Sequence, residues 1–169
     1  GLKISEALCL VRLHHSTPTT HRLPAFCRMM AGSLINLPFI SQSCQSDGVQ
    51  AACCAEAVNY PRIVQLMDTE PMMKGHVSYV PDVGLLTIFP HQSSLKLFLL
   101  TLHTLCKNNV RVLETGSSIG ALTYVLPYAQ LDEAADMIQA RFQLDEHHSP
   151  FKADFVVCQS AQVRPDRLE

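Results

Sequence analysis

The chain has 169 residues, 47% of them hydrophobic and 17% charged, and 13 Lys and Arg against 15 Asp and Glu give a formal net charge of -2. That is apolar material enough for one ordinary domain or two small ones, and too little charge for a disordered chain. The near balance of charge offers no basic footprint, so neither nucleic acid nor a membrane surface is expected as a partner.

Leu8 to His14 (LCLVRLH) reads as a short apolar strand, and His15 to Thr20 (HSTPTT) as a turn leading into a helix. Leu23, Phe26, Cys27 and Met30 then fall on one helical face, and Gly32 is expected to end that helix. Leu34 to Gln42 is predicted as a strand, Ser46-Asp47-Gly48 as a hairpin turn and Val49 to Ala57 as the returning strand. Asn59 is placed as an N-cap with Pro61 in the first helical turn, and Ile63, Leu66 and Met67 supply the buried face. Gly75 frees the chain for a strand at His76 to Val80.

The second half follows the same order. Val83 to Phe89 reads as a strand and Pro90 to Ser94 as the turn into a helix whose stripe is Leu95, Phe98, Leu99, Leu102 and Cys106. Asn108-Asn109 ends it. Val110 to Thr115 is predicted as a strand, Gly116 to Gly120 as a turn and Ala121 to Tyr128 as a strand. Asp132 and Glu133 mark a helix N-terminus, where negative charge suits the dipole, and Ala135, Ile138 and Phe142 line its inner face. Phe155 to Gln159 is the last predicted strand, either returning to its own sheet or completing the first one.

Strand-helix-strand-strand-helix-strand thus occurs twice, with a period of about 75 residues that sets Ile63 against Ile138 and Leu23 against Phe98. Two such units are ferredoxin-like βαββαβ modules: an α+β fold of antiparallel sheets with helices on one face. The expected division is 1–81 for the first repeat and 82–162 for the second, with 163–169 a tail. Only Pro81-Asp82 joins them, and each alone has a thin core, so sheets or helix layers of the two are expected to pack together. Leu97 and Leu100 lie off the stripe of the second repeat's first helix; either one wide face covers a deep core, or the other repeat or another subunit packs there.

The seven cysteines are odd in number and form no C-x-x-C pair; all but Cys44 sit in apolar runs, as free core thiols in a reducing cytoplasm would. The most apolar stretch, Leu95 to Leu105, is interrupted by Lys96 and His103 and is too short to span a bilayer. The start at Gly1 and the final Leu168-Glu169 read as marks of a fragment excised from a longer protein, the last two residues as a cloning remnant.

Two stretches carry a resemblance. One is Ile35-Asn36-Leu37-Pro38-Phe39-Ile40-Ser41-Gln42 followed by Asp47-Gly48. The other is Asn109 to Ser117 (NVRVLETGS), followed by a strand and Leu131-Asp132-Glu133-Ala134-Ala135. In them the chain resembles the ACT domain family, and more narrowly the paired ACT regulatory region of aspartate kinases, from Leu8 to Ser160. The resemblance implies a non-catalytic tandem ACT module, a small amino acid effector such as lysine or threonine, a homodimer, and a covalently attached catalytic domain elsewhere. Two departures stand out. The family's Asp-x-Pro-Gly entry to the first helix is Ser16-Thr17-Pro18-Thr19 in the first repeat and Pro90-His91-Gln92-Ser93-Ser94 in the second. The missing glycine is the one that lets the backbone approach an effector, so its loss bears on binding, most of all in the second repeat. The kinase's lysine- and glycine-rich signature is absent, and these residues hold nothing that transfers a phosphoryl group.

An amino acid needs donors for its carboxylate, acceptors for its ammonium and a shape for its side chain. N–H groups at a helix start, with the hydroxyls of Ser16, Thr17, Thr19 and Thr20 beside Pro18, supply the first. Asn36 and Gln42, expected on the facing strand, offer donors and acceptors, and Gln42 stands where the resemblance places a glutamine at the effector. Gln92, Ser93 and Ser94 are the counterparts in the second repeat. Ser16 to Thr20 serves equally as a plain helix cap. No cofactor or metal is expected: His14-His15 and Cys53-Cys54 point to opposite faces of strands, and His147-His148 lies in a polar loop. Gly116-Ser117-Ser118-Ile119-Gly120 has the letters of G-x-S-x-G but reads as a hairpin turn, since predicted strands flank it on both sides, and no H-E-x-x-H, G-x-G-x-x-G or P-loop pattern occurs. The RNA-recognition fold shares this strand order, but Phe39, Tyr124 and Tyr128 lack surrounding Lys and Arg. The rival to an amino acid sensor is a ligand-free module that only dimerises.

Overall fold

Alternation along Leu8–His15 sends Cys9, Val11 and Leu13 to one side of a strand and Leu8 and Leu10 to the other, and all five are buried. A strand buried on both faces needs a cover on each, and the computed structural model, which describes residues 1–15, 22–45, 48–90, 94–118 and 120–142, provides two different ones. In chain order its elements are β1 (Leu2–Ile4), β2 (Leu8–His15), α1 (Arg22–Gly32), β3 (Phe39–Gln45), β4 (Gly48–Glu56), α2 (Tyr60–Thr69), β5 (Val77–Ile88), α3 (Leu95–Lys107), β6 (Glu114–Ser117), β7 (Leu122–Pro127) and α4 (Leu131–Phe142). Among the described residues the strands form one sheet in the order β3-β4-β2-β5-β7-β6, with β1 also on β5, and every pairing is antiparallel.

The four helices lie on the outside. Phe26 and Met30 of α1 and Ile63 and Met67 of α2 close over Cys9, Val11, Leu13, Ala51, Cys53 and Ala55. Burying each of the larger side chains contributes about 1.5–3 kcal/mol. In the second half Leu105, Leu131, Ala134 and Ile138 cover Leu86, Ile88, Leu122, Tyr124 and Leu126. The faces left over meet each other: Leu8, Leu10, Phe39, Ala52 and Cys54 pack with Val83, Leu85 and Val125. The layers therefore run helices, sheet, sheet, helices, with an apolar seam between the two halves of the sheet.

β5 carries the chain through that seam. The two strands expected on either side of Pro81-Asp82 are one strand of 12 residues. Leu8 pairs with Val83 and Leu10 with Val80, so β5 spends three residues where β2 spends two. The extra residue is a β-bulge, with Asp82 at φ 53 in the left-handed region that Asp tolerates. It also resets the alternation. Val80 faces the seam before the bulge, whereas Val83 and Leu85 face it afterwards, leaving Leu86 and Ile88 for the outer helices.

The N-terminus supplies an element that no local pattern announces. β1 pairs Leu2, Lys3 and Ile4 with Ile88, Thr87 and Leu86, extending the second half rather than the first. The first half reads β5-β2-β4-β3 and the second β1-β5-β7-β6, the same path with the outermost strand borrowed from the chain's beginning. The predicted strand Phe155 to Gln159 lies outside the described residues.

Several local expectations are corrected. The strand expected from Leu34 begins at Phe39. Leu34, at φ 56 and 91% exposed, takes the left-handed turn expected of Gly32, and the Ile35 N–H donates to the Met30 carbonyl at 2.9 Å to close the helix. Asn59 makes no side-chain cap; a 3₁₀ turn over Ala57–Asn59 precedes α2 instead. The inner face of α3 is Leu97, Phe98, Thr101, Leu102 and Leu105, while Leu95 and Leu99 are 67% and 53% exposed and Cys106 is exposed too. Gly116 belongs to β6 rather than a turn, paired with Thr123, and a Cβ there would stand 2.9 Å from Cε2 of Phe39 across the seam.

Candidate functional site

Pairing across β2, β4 and β3 sets Arg12 beside Ala52 and Ser41, and His14 beside Gln50 and Ser43. These residues continue the row of Leu10, Cys54 and Phe39 on the face that turns toward the second half, but past the end of the apolar seam. Opposite them stand Glu114 and Thr115 of β6. Between the two halves of the sheet lies a cleft of about 230 Å³ lined by Arg12, His14, Ser41, Gln50, Glu114 and Thr115, with Gln42, Ser43, Ala51 and Ala52 completing its wall.

One ion pair spans the cleft. Nε of Arg12 donates to Oε1 of Glu114 at 2.8 Å, and Nη2 donates to the Leu113 carbonyl at 3.1 Å. The two side chains are only 29% and 25% exposed. Partial burial lifts such a contact above an open surface pair, toward the roughly 1.5–3 kcal/mol of a hydrogen bond to a charged group. On the same wall Nε2 of His14 and Oγ of Ser78 are hydrogen-bonded at 3.1 Å.

Cys54 is close enough to this pair to feel both charges. Burial is the main cause that pushes its thiol up to about 12, with Cys53, Cys9 and Glu114 acting the same way and Arg12 opposing them. Burial and the nearby Cys27 push Cys53, on the other face, up to about 12 as well. Both stay protonated near neutral pH, so the vicinal pair is chemically quiet.

The sequence-predicted site residues are scattered. Ser16, Thr17, Pro18, Thr19, Thr20, Gln92 and Ser93 lie outside the described residues. Asn36 is exposed in the loop before β3, not on the strand where it was expected. Gln42 is on β3 opposite Ala51, whose side chain faces the α1 and α2 layer, while its neighbours Ser41 and Ser43 face the seam. Ser94 is the N-cap of α3, its Oγ accepting from the Leu97 N–H at 3.2 Å. Of those ten residues, Gln42 is the one that reaches the cleft among the described residues. Arg12 and Glu114 were not among the predicted site residues, although Arg12 is the lone Arg or Lys of the apolar run LCLVRLHH and Glu114 the lone carboxylate of VRVLET. Among the described residues no group of three or more His, Cys, Asp or Glu is placed to hold a metal ion, and no helix is long and apolar enough to cross a membrane.

No family model matches the chain, and no curated protein matches it in sequence. Solved structures do match. The chain is similar to a structure of aspartokinase alpha and beta subunits, with a TM-score of 0.75 at 9% identity, covering 85% of this chain and 98% of that one. It is similar to the ligand-free regulatory subunit of aspartate kinase from Thermus thermophilus, with a TM-score of 0.71 at 13% identity, covering 84% and 97%. It is also similar to E. coli aspartokinase III in complex with lysine and aspartate, with a TM-score of 0.58 at 13% identity, covering 83% of this chain and 32% of that one. The fold is therefore that of aspartate kinase regulatory domains, an antiparallel sheet with four helices over most of the chain, in line with the ACT resemblance.

Proposed function

We propose that this chain is a non-catalytic regulatory module of tandem ACT type that binds a small amino acid, lysine or threonine by analogy, in the service of an aspartate-kinase-like enzyme. The two repeats are residues 1–81 and 82–162, with β1 and β5 shared across the boundary. The supporting observation is the extent of the fold match: 84% of this chain against 97% of the regulatory subunit from Thermus thermophilus. A second support is chemical. The polar end of the seam offers a guanidinium, a carboxylate, hydroxyls and amides within one small cleft, which is what a free amino acid requires. The ten predicted residues remain candidates for its contacts, Gln42 first. An effector held between the halves regulates only through its differential affinity for two arrangements of them, and a coupling of about 1–3 kcal/mol suffices for ordinary feedback.

Calorimetric titration and thermal shift with the common amino acids test the reading. A binder is expected among them at millimolar concentration or below, raising the melting temperature as its concentration rises. No response to any amino acid would remove the sensor. The second reading, a dimerisation module without a ligand, is favoured by Leu95 and Leu99, which leave an apolar strip of α3 facing outward. It predicts a concentration-dependent dimer by sedimentation that Leu99→Glu dissociates.

A further inference from the structure

We propose that the cleft between the two halves of the sheet holds the α-amino and α-carboxyl groups of a free amino acid, Arg12 taking the carboxylate and Glu114 the ammonium. This deepens the regulatory reading and rests on it for the ligand class.

Three observations lead there. First, the two charges come from opposite halves of the sheet, Arg12 from β2 and Glu114 from β6, and meet in the mouth of a cavity. The cavity's roughly 230 Å³ is below the ~300–1,000 Å³ of sites for drug-sized molecules, so its occupant is small. Second, the pair is only partly used. Nε and Nη2 of Arg12 are engaged, and Glu114 accepts through Oε1. Nη1 and Oε2 have no hydrogen-bond partner among the described residues. Third, beside His14 and the small apolar Ala51 and Ala52, the wall carries neutral polar side chains. Ser41, Thr115 and Gln50 supply hydroxyls and an amide that donate or accept as a ligand side chain demands.

Charge balance then selects the ligand. A plain anion drawing Arg12 away would strand the Glu114 carboxylate, and a plain cation on Glu114 would strand the guanidinium. A stranded, partly buried charge is costly. A zwitterion replaces one ion pair by two and strands neither group. Because the partners sit on different halves, occupancy also alters what ties β2 to β6, which is the differential contact that a regulatory ligand needs.

The test is titration of the full chain with L-lysine, L-threonine and the other common amino acids, followed by the N-acetyl and methyl ester derivatives of whichever binds. Arg12→Gln and Glu114→Gln are each expected to weaken that amino acid at least tenfold, and neither derivative is expected to bind measurably. Should a single variant unfold, the double variant Arg12→Gln with Glu114→Gln leaves no unpaired charge and is expected to melt cooperatively and still fail to bind. An amino acid that binds wild type and both variants alike would overturn this site and leave the regulatory reading standing. Retained binding of the N-acetyl or ester derivative would likewise overturn it. No binding by any amino acid would overturn both.

Discussion

Thr101 sits in the inner face of α3, fully buried, and among the described residues its Oγ1 has no hydrogen-bond partner. The Tyr124 hydroxyl close by donates instead to the Phe98 carbonyl at 3.4 Å. A buried hydroxyl without a partner loses its water and gains nothing in return. Thr101→Val keeps the shape and removes the oxygen, so it is expected to raise stability by about 1 kcal/mol in urea unfolding, with the m-value unchanged. Individual residues were also where the site was hardest to see in advance. A lone Arg in LCLVRLHH and a lone Glu in VRVLET are conspicuous, but nothing local says that strands 102 residues apart bring them to 2.8 Å. Gln42 was found because it lies in a run with a family likeness, and the alternation of β3 then set its side chain toward the helices rather than toward Arg12.

At the scale of elements, the helices α1, α2 and α4 were legible because a 3.6-residue period is a local property. α3 was legible as a helix but not in its orientation. Apolar residues surround most of it, so periodicity carried no phase, and the core took Leu97 and Leu105 while Leu95 and Leu99 turned outward. β5 was split in the reading because Pro81-Asp82 has the composition of a turn; the pairing of Val80 and Val83 with β2 shows a bulge inside a continuous strand. That bulge has a sharp consequence. Deleting Asp82 removes the extra residue and would send Val83 and Leu85 toward the helices and Leu86 and Ile88 toward the seam, a one-residue slip that flips the whole face. The deletion is expected to abolish cooperative thermal unfolding. Asp82→Gly, which suits a φ of 53, is expected to stay within about 1 kcal/mol of wild type.

Across the whole molecule the described residues form three apolar layers, and each contains a buried weak acid. Cys53 lies under α1 and α2, Cys54 in the seam, and Tyr124 under α3 and α4. Burial pushes all three up to about 12, from ordinary values of 9.0 for the thiols and 10.0 for the phenol. Below the ordinary values both folded and unfolded chains hold these protons, and the stabilisation is fully present. Between them and about 12 the unfolded chain releases its protons first, so stability falls as pH rises, by up to about 1.4 kcal/mol per pH unit for each group. Urea melts at about pH 8 and about pH 10.5 should show the loss, and Cys53→Ala with Cys54→Ala should flatten most of it. β1 adds a constraint of a different kind. Because Leu2–Ile4 lies beside the far end of β5, the first half is threaded between two pieces of the second. A cut at Pro81-Asp82 would yield one piece carrying a surplus strand and another with a bare edge, so the halves cannot be shuffled as cassettes; recombination that respects the molecule has to exchange the opening residues along with the distant partner they complete.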